Sequence, residues 1–244
     1  MPPIEHMMEN DRYTQPEFKG RREVVSLSND GKTFAIGYVG GVDVYKLTGE
    51  SWDKKGNSIL VPDSLNSLSL SSNGSRIATG SGVYEYDKAM DSWTILGTEL
   101  PAASPHTVSL SGSGNRLAVT SKIEASACII KVYDYDIDSD SWMQVGSNIS
   151  GFEECGFGEG SAGKEVALSL DGKTVVYSAS FAKLVQPYRF DGKVWGSVGK
   201  ALDSGRGDSP TASITGDGDR LVIGEVAFFS GESYVSIYDL RRGI

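Results

Sequence analysis

The sequence predicts an all-β protein built from five copies of one structural unit, and three observations predict this class. The first is a pattern of Leu or Ile, Ser or Thr, any residue, Asp, Asn or Ser, and Gly, which begins at Leu27, Leu70, Leu110, Leu168 and Ile214. The second is a Tyr followed seven residues later by a Trp, which uses every Trp: Tyr45 and Trp52, Tyr86 and Trp93, Tyr135 and Trp142, Tyr188 and Trp195. The third is the alternation of β-branched and aromatic residues with Gly, Ser and Asp, without a long helical stripe.

Each copy predicts four antiparallel strands. The first strand ends at the Gly-containing pattern, whose Asp-Gly or Asn-Gly step suits the positive φ angles of a tight hairpin. The second is short and apolar, the third ends near the Tyr, and the fourth begins near the Trp. Repeats of roughly 40–50 residues with this content are typical of a β-propeller, so we expect five blades of four strands.

The fifth repeat predicts how the ring closes. Its Tyr is Tyr238, and a Trp seven residues later would fall beyond Ile244, so this repeat lacks a fourth strand. Residues 12–20 resemble the fourth strand of the other repeats, with Tyr13 at the Trp position. We expect this N-terminal strand to complete the last blade, which removes exposed sheet edges.

The expected domain organisation follows from this closure. It consists of an N-terminal tail and one propeller domain, whose fifth repeat includes the N-terminal strand. The boundaries are 1–11 for the tail, 12–244 for the propeller, and about 21–63, 64–103, 104–152, 153–206 and 207–244 plus 12–20 for the repeats.

One repeat also carries a family resemblance. Phe157-Gly158 leads into residues 166–176, which read Val-Ala-Leu-Ser-Leu-Asp-Gly-Lys-Thr-Val-Val. This resembles FG-GAP-type propeller repeats and is generically similar to WD-repeat propellers, although a recurring Trp-Asp dipeptide at strand ends is missing. The resemblance covers residues 12–244, but only one copy keeps the Phe-Gly. It implies a binding scaffold, and the fold by itself implies no activity.

Composition limits the partners. The 244 residues carry a formal net charge of −9 and a pI near 4.8, which disfavours nucleic acid and anionic membranes, because phosphate binding needs clustered Lys and Arg. No stretch approaches the roughly 20 apolar residues of a membrane span. The chain begins without an apolar signal segment, which fits a cytoplasmic protein or a secreted one whose leader has been removed. We expect a monomer.

Few residues are candidates for chemistry. His6 and His106 lie outside any catalytic motif, and a hydrogen-bonded His is the simpler interpretation. Propeller glycosidases need a suitably spaced pair of carboxylates, for which only Glu23 and Glu165 lie near the axis. Ser residues occupy the equivalent inner-strand positions instead: Ser26, Ser69, Ser109 and Ser213. We therefore expect no enzyme activity and no cofactor, with a glycosidase as a remaining alternative.

Three further features have both a functional and an ordinary interpretation. Asp136, Asp138 and Asp140 could present oxygens to calcium, but the full calcium-loop pattern fails and an acidic hairpin turn is simpler. Residues 206–208 read Arg-Gly-Asp, and the same residue types are common in any exposed loop. Cys128 and Cys155 are compatible with two free thiols or with one disulfide.

The best binding candidates are the loops that depart from the repeat. Connections between blades, and those between second and third strands, emerge on one face of a propeller. Apolar side chains there suggest a contact surface or a plug over the channel: Phe152, Phe157, Phe181, Phe228, Phe229 and Tyr38. The leading hypothesis is a non-enzymatic module that binds a protein partner through this face. A glycan-binding lectin with one pocket per blade is the alternative.

Overall fold

The computed structural model describes most of the repeat region in separate stretches. These are residues 24–61, 65, 67–97, 107–122, 128–152, 164–179, 184–203, 210–226 and 233–241. The regular structure in these stretches is entirely β, so the described part of the chain contains no helix able to cross a membrane.

The strands form five antiparallel sheets, which follow one another in chain order. Sheet 1 contains β1 (Val24–Leu27), β2 (Thr33–Tyr38), β3 (Gly40–Thr48), β4 (Ser51–Lys54) and β5 (Ile59–Val61). Sheet 2 contains β6 (Leu68–Leu70), β7 (Arg76–Thr79), β8 (Gly82–Asp87) and β9 (Ser92–Ile95). Sheet 3 contains β10 (Val108–Leu110), β11 (Arg116–Lys122), β12 (Cys128–Asp136), β13 (Ser141–Gln144) and β14 (Ile149–Phe152).

The last two sheets repeat this order. Sheet 4 contains β15 (Lys164–Leu168), β16 (Thr174–Ala179), β17 (Leu184–Phe190), β18 (Trp195–Ser197) and β19 (Leu202–Asp203). Sheet 5 contains β20 (Thr211–Ile214), β21 (Arg220–Val226) and β22 (Ser233–Asp239). Strands β5, β14 and β19 pair back onto the third strand of their own sheet. The first strands of successive sheets lie side by side, so each sheet packs face to face against the next.

The turn after each first strand has the predicted hairpin form. In sheet 1 the Ser28 hydroxyl donates to Asp30 Oδ1 at 2.6 Å and accepts the Thr33 N–H at 2.9 Å. The glycine at the end of the pattern has a φ angle between 61° and 73° in all five copies, which an L side chain rarely adopts. The spacing of the pattern is therefore explained by one recurring turn.

The register corrects the equivalence suggested by the Tyr–Trp spacing. The Tyr residues that share one position, opposite the first core residue of the second strand, are Tyr45, Tyr84, Tyr133, Tyr188 and Tyr238. Each Trp lies opposite the residue two positions after that Tyr: Leu47, Tyr86, Tyr135 and Phe190.

The constant spacing of seven thus has two origins. Sheets 1 and 4 join their third and fourth strands by two-residue turns, whereas sheets 2 and 3 use four-residue turns. In sheets 2 and 3 the turn is two residues longer, but the Tyr of the predicted pair also lies two residues further along the third strand. The spacing from Tyr to Trp therefore stays at seven. Only Tyr86 with Trp93 and Tyr135 with Trp142 are cross-strand neighbours, with ring centroids 5.4 and 5.5 Å apart.

The apolar core lies between the sheets. Ala35, Val42 and Val44 of sheet 1 pack with Leu68, Leu70, Ile77 and Trp93 of sheet 2. Equivalent clusters join sheet 2 to sheet 3, sheet 3 to sheet 4 and sheet 4 to sheet 5. We call each such contact a junction. An all-β fold of antiparallel sheets packed in series is the architecture that the repeats predict.

Replacement of two glycines by alanine separates backbone strain from crowding at a junction. Gly49 and Gly74 have nearly equal φ angles of 63° and 61°. A Cβ at Gly49 meets nothing within 4 Å, whereas one at Gly74 comes within 2.4 Å of Thr33 Cβ across the first junction. We expect Gly49→Ala to cost about 1 kcal/mol of unfolding free energy, and Gly74→Ala about 2–4 kcal/mol. Urea unfolding of both variants measures the difference, and equal costs would show that this contact carries no strain.

Candidate functional site

The predicted binding residues belong to one end of the sheets. We call this the loop end, where second strands connect to third strands and each sheet connects to the next. Tyr38 is the last residue of β2, and Phe152 is the last residue of β14, of which only the backbone is described. Phe157, Phe181, Phe228 and Phe229 lie outside the described residues, in connections that leave this end.

Tyr38 is held by a polar network. Its hydroxyl donates to Asp43 Oδ1 at 3.4 Å, and the same oxygen lies 2.9 Å from Lys54 Nζ. Lys54 also donates to the Ser58 hydroxyl at 2.8 Å. The hydrogen bond to Asp43 raises the pKa of Lys54 above its usual range. The tyrosine ring is half-buried and oriented by these contacts, so it contributes a fixed polar edge to the loop end.

The acidic turn at residues 136–140 caps itself. Asp136 accepts hydrogen bonds from the Asp138 N–H at 3.1 Å and from the Ser139 hydroxyl at 2.7 Å, and both lower the pKa of Asp136. Asp140 Oδ1 accepts the Tyr135 hydroxyl at 2.6 Å. Nowhere in the described stretches does a group of three His, Cys, Asp or Glu side chains stand ready to hold a metal ion.

Sheet 2 has the same turn with fewer acids. Asp87 accepts the N–H groups of Ala89 and Met90, and the Tyr86 hydroxyl donates to Asp91 Oδ1 at 2.6 Å. Because the arrangement recurs where only two carboxylates are present, the carboxylates at its two ends are explained by the four-residue hairpin.

Several other sequence candidates lie outside the described residues. They are His6, Glu23, His106, Cys155 and residues 206–208, while Cys128 and Glu165 are described by their backbone alone. The glycosidase pair, the disulfide and the use of Arg-Gly-Asp therefore stay predictions.

The inner-strand serines join the sheets. Ser26 Oγ accepts the Leu70 N–H at 3.1 Å, and the same bond runs from Leu110 to Ser69 and from Leu168 to Ser109, each at 3.0 Å. The structure shows that each hydroxyl satisfies a backbone N–H of the next sheet, and this explains why Ser recurs there.

Three tryptophans join the sheets at their outer strands. The indole N–H groups of Trp93, Trp142 and Trp195 donate to the carbonyls of Lys55, Leu96 and Val145 in the preceding sheet, at 2.8–3.0 Å. These three Trp side chains pack between neighbouring sheets.

A glycine accompanies each of these indole contacts. Gly56, Gly97 and Gly146 follow a Trp by four residues, and a Cβ there would come within 2.9–3.2 Å of the next sheet's indole. This glycine, four residues after Trp, is a sequence signal that the Tyr–Trp pattern left out.

A cation completes each junction. Arg76, Arg116 and Arg189 donate to the carbonyls of Gly114, Gly172 and Gly218 in the next sheet's first turn. Lys55 does the same to Gly74. Arg76 and Arg116 follow their own turn glycine by two residues, a regularity that sequence reasoning missed because neither belongs to a known motif.

Most of these cations also cover an aromatic ring of the next sheet. Lys55 Nζ lies 4.5 Å from the Tyr86 centroid, and the Arg116 guanidinium lies 5.2 Å from that of Phe190. Arg76 lies 5.3 Å from the ring of Tyr135. Burial, with a smaller contribution from Lys46, lowers the pKa of Lys55 to about 8. These four cations are thus directed at neighbouring sheets.

The comparisons with known proteins support the fold alone. Neither the protein-family models nor the curated proteins match the sequence. Among solved structures, the chain resembles hydrazine synthase of Kuenenia stuttgartiensis, with a TM-score of 0.59 and 14% identity, covering 93% of this chain and 66% of that one. It also resembles TolB of Acinetobacter baumannii, with a TM-score of 0.51 and 15% identity, covering 91% and 51%.

A third match is a functionally unknown protein of Desulfotomaculum acetoxidans, with a TM-score of 0.59 and 12% identity, covering 88% of this chain and 69% of that one. The chain therefore spans two thirds or less of the first two structures. At these identities the likeness shows a β-propeller-like fold and does not carry over an activity.

Two arginine variants test the strength of a junction. Arg116 bonds Asp134 through two nitrogens at 2.5 and 2.6 Å and also reaches Gly172 O at 2.9 Å. Arg241 forms the same kind of pair with Asp239, at 2.9 and 2.6 Å, but is exposed. We expect Arg116→Ala to cost about 2–3 kcal/mol of unfolding free energy and Arg241→Ala to leave it nearly unchanged, because the Arg241 pair is exposed to water. Urea unfolding checks both, and similar costs would contradict a role for Arg116 beyond its ion pair.

Proposed function

We propose that the protein is a non-enzymatic binding module of the β-propeller type, which engages a protein partner through the irregular connections at its loop end. The observation that carries this proposal is the structural use of the repeated polar side chains at the formed junctions. The inner-strand Ser, the turn Asp, the Arg and the Trp each serve a turn or a junction. The residues that depart from the repeat are left to provide specificity.

The contact surface is assigned to aromatic residues in those connections. Phe157, Phe181, Phe228 and Phe229 flank the strand ends at the loop end, and Tyr38 supplies an oriented polar edge. Aromatic side chains with a polar neighbour are favoured at protein interfaces. The net charge of −9 favours a partner with a neutral or basic face, because like charges repel on approach.

The proposal includes a closed ring of five blades. Within the described residues β22 pairs only with β21, so sheet 5 has a free outer edge where sheets 1 to 4 have a fourth strand. Residues 12–20 would fill this edge. This segment would bring Tyr13 to the Trp position and Pro16 into the outermost strand. Proline is compatible with an outermost strand, which needs few N–H donors.

Replacing two loop-end phenylalanines tests the binding surface. We expect Phe228→Ala with Phe229→Ala to abolish capture of a protein that the wild type retains in a pull-down. The control pair is Met90→Ala with Ile137→Ala, two exposed apolar residues in turns at the opposite end. It should capture the same protein as the wild type. Quantitative mass spectrometry of the eluates compares the three, and undiminished capture by the phenylalanine variant would contradict the assigned surface.

Removing residues 1–20 tests the closing strand. We expect this truncation to lower the melting temperature by several degrees or to yield dimers, because β22 then presents an unpaired edge. Removal of residues 1–11 is the matched control and should leave both properties unchanged. Light scattering and thermal unfolding measure them. A monomeric 21–244 chain with the melting curve of the full chain would refute closure by this strand.

A further inference from the structure

Two sheet faces are exposed although their equivalents are buried at every formed junction. On sheet 5, Val222, Val235 and Ile237 are 38%, 74% and 72% exposed. The register places them where sheet 1 has Ala35, Val42 and Val44, which are fully buried. An apolar face of this size is costly to leave in water.

The opposite half of the same contact is exposed on sheet 1. Val25 and Leu27 are 71% and 62% exposed, whereas the residues at these positions in sheets 2, 3 and 4 are buried. Sheets 2, 3 and 4 are each covered at these positions by the preceding sheet, but no described sheet covers sheet 1. Likewise, sheets 1 to 4 each cover the following sheet, but sheet 5 covers none of the described sheets. The two exposed faces are the complementary halves of one junction.

Sheet 5 also carries polar groups at the positions from which earlier sheets contact the following sheet. Ser213 occupies the position of the serines that accept a backbone N–H from the next sheet, and Thr211 that of Ser67, which bonds Val108. Arg220 follows Gly218 by two residues, as Arg76 and Arg116 follow their turn glycines, and it is exposed.

Sheet 1 carries the matching acceptors and ring. Leu27 is equivalent to Leu70 and Leu110, whose N–H groups bond the preceding sheet's serine. Gly31 is equivalent to the glycines whose carbonyls accept a cation. Trp52 packs edge-on against Phe34 at 4.8 Å, and the equivalent Trp93 of sheet 2 is covered by Lys55 of the preceding sheet.

We infer that the open face of sheet 5 packs onto the open face of sheet 1 of the same chain as a fifth junction. In this junction Ser213 accepts the Leu27 N–H, while Arg220 donates to the Gly31 carbonyl and covers Trp52. The inference rests on the closed ring of the proposed function and adds the residues that hold it. It does not depend on the identity of the protein partner.

The occupant of each face is the same chain because the two halves are already tethered. Linked surfaces meet at an effective concentration near millimolar, so a second copy at micromolar concentration competes poorly. The four formed junctions also continue directly into both open faces, so the fifth extends an interface that the molecule already uses. Closure buries apolar surface on both sheets without a new kind of contact.

Cross-linking with a matched control tests the inference. Thr211→Cys with Val25→Cys probes the fifth junction, and Ser67→Cys with Val108→Cys probes the equivalent contact of a formed one. Both pairs are placed in a Cys128→Ser, Cys155→Ser background and treated with a short bis-maleimide at micromolar protein. We expect a link within one chain at a yield within about twofold of the control, because both pairs report the same packed geometry.

Three outcomes overturn the inference. A link between two chains would make a second copy the occupant. No link in the first pair, while the control reacts, would mean that the faces stay apart. If the variants fail to fold, hydrogen exchange of the unaltered protein decides, since the Leu27 amide should exchange within about tenfold of the Leu70 and Leu110 amides. Exchange at the rate of an unprotected amide would overturn it. A linked ring that captures no partner would remove only the protein-binding proposal.

Discussion

The fold depends on the junction between one sheet and the next. A single four-stranded sheet with two apolar faces is unstable in water, because it gains most of its burial only when neighbours cover both faces. At each formed junction the apolar residues supply the burial, and the directional contacts fix how the sheets meet. A cation reaches the first turn of the next sheet at all four formed junctions. At the first three, an indole N–H also donates to a carbonyl near the outer strand, and a serine hydroxyl accepts an amide at the inner strand.

At each formed junction a cation donates to the turn carbonyl of the next sheet, but the sequence position that supplies the cation differs between sheets. Sheets 2 and 3 use Arg76 and Arg116, which directly begin the second strand. Sheet 4 has Thr174 at that position, and its cross-strand neighbour Arg189 reaches the Gly218 carbonyl instead. Sheet 1 has Thr33 there, and Lys55, the residue after β4, reaches the Gly74 carbonyl instead. A turn carbonyl without a hydrogen-bond donor would be costly at a partly buried site. This explains why each formed junction has a cation at the turn, although the cation comes from different positions in the sheet.

The difference between the repeated structural contacts and the irregular connections determines the functional interpretation. In the described residues, polar side chains of the turns opposite the loop end and of the faces between sheets take part in repeated structural contacts. Few of these groups therefore remain to bind a ligand. The acidic turn of residues 136–140 illustrates this, since Asp136 and Asp140 already accept hydrogen bonds from their own hairpin. The connections at the loop end vary in length and composition, and recognition in repeat scaffolds commonly resides in such departures.

The sequence by itself determined the all-β class, the repeats and the first turn, because these depend on residues only a few positions apart. The Ser-x-Asp-Gly turn could be predicted since its hydrogen bonds span two to five residues. The predicted loop-end aromatics followed from strand order alone, and for most of them their surroundings lie outside the described residues.

Only the tertiary structure decided which residues are equivalent and what they do. The Tyr–Trp spacing suggested that Tyr86 matches Tyr45, but turn length hid the true match to Tyr84, since spacing along the chain does not report register. The roles of Ser109, Arg116 and Trp93 depend on partners 38 to 59 residues away in another sheet. The recurring residues mark these contacts along the chain, but the partner of each is decided only when whole sheets have packed face to face.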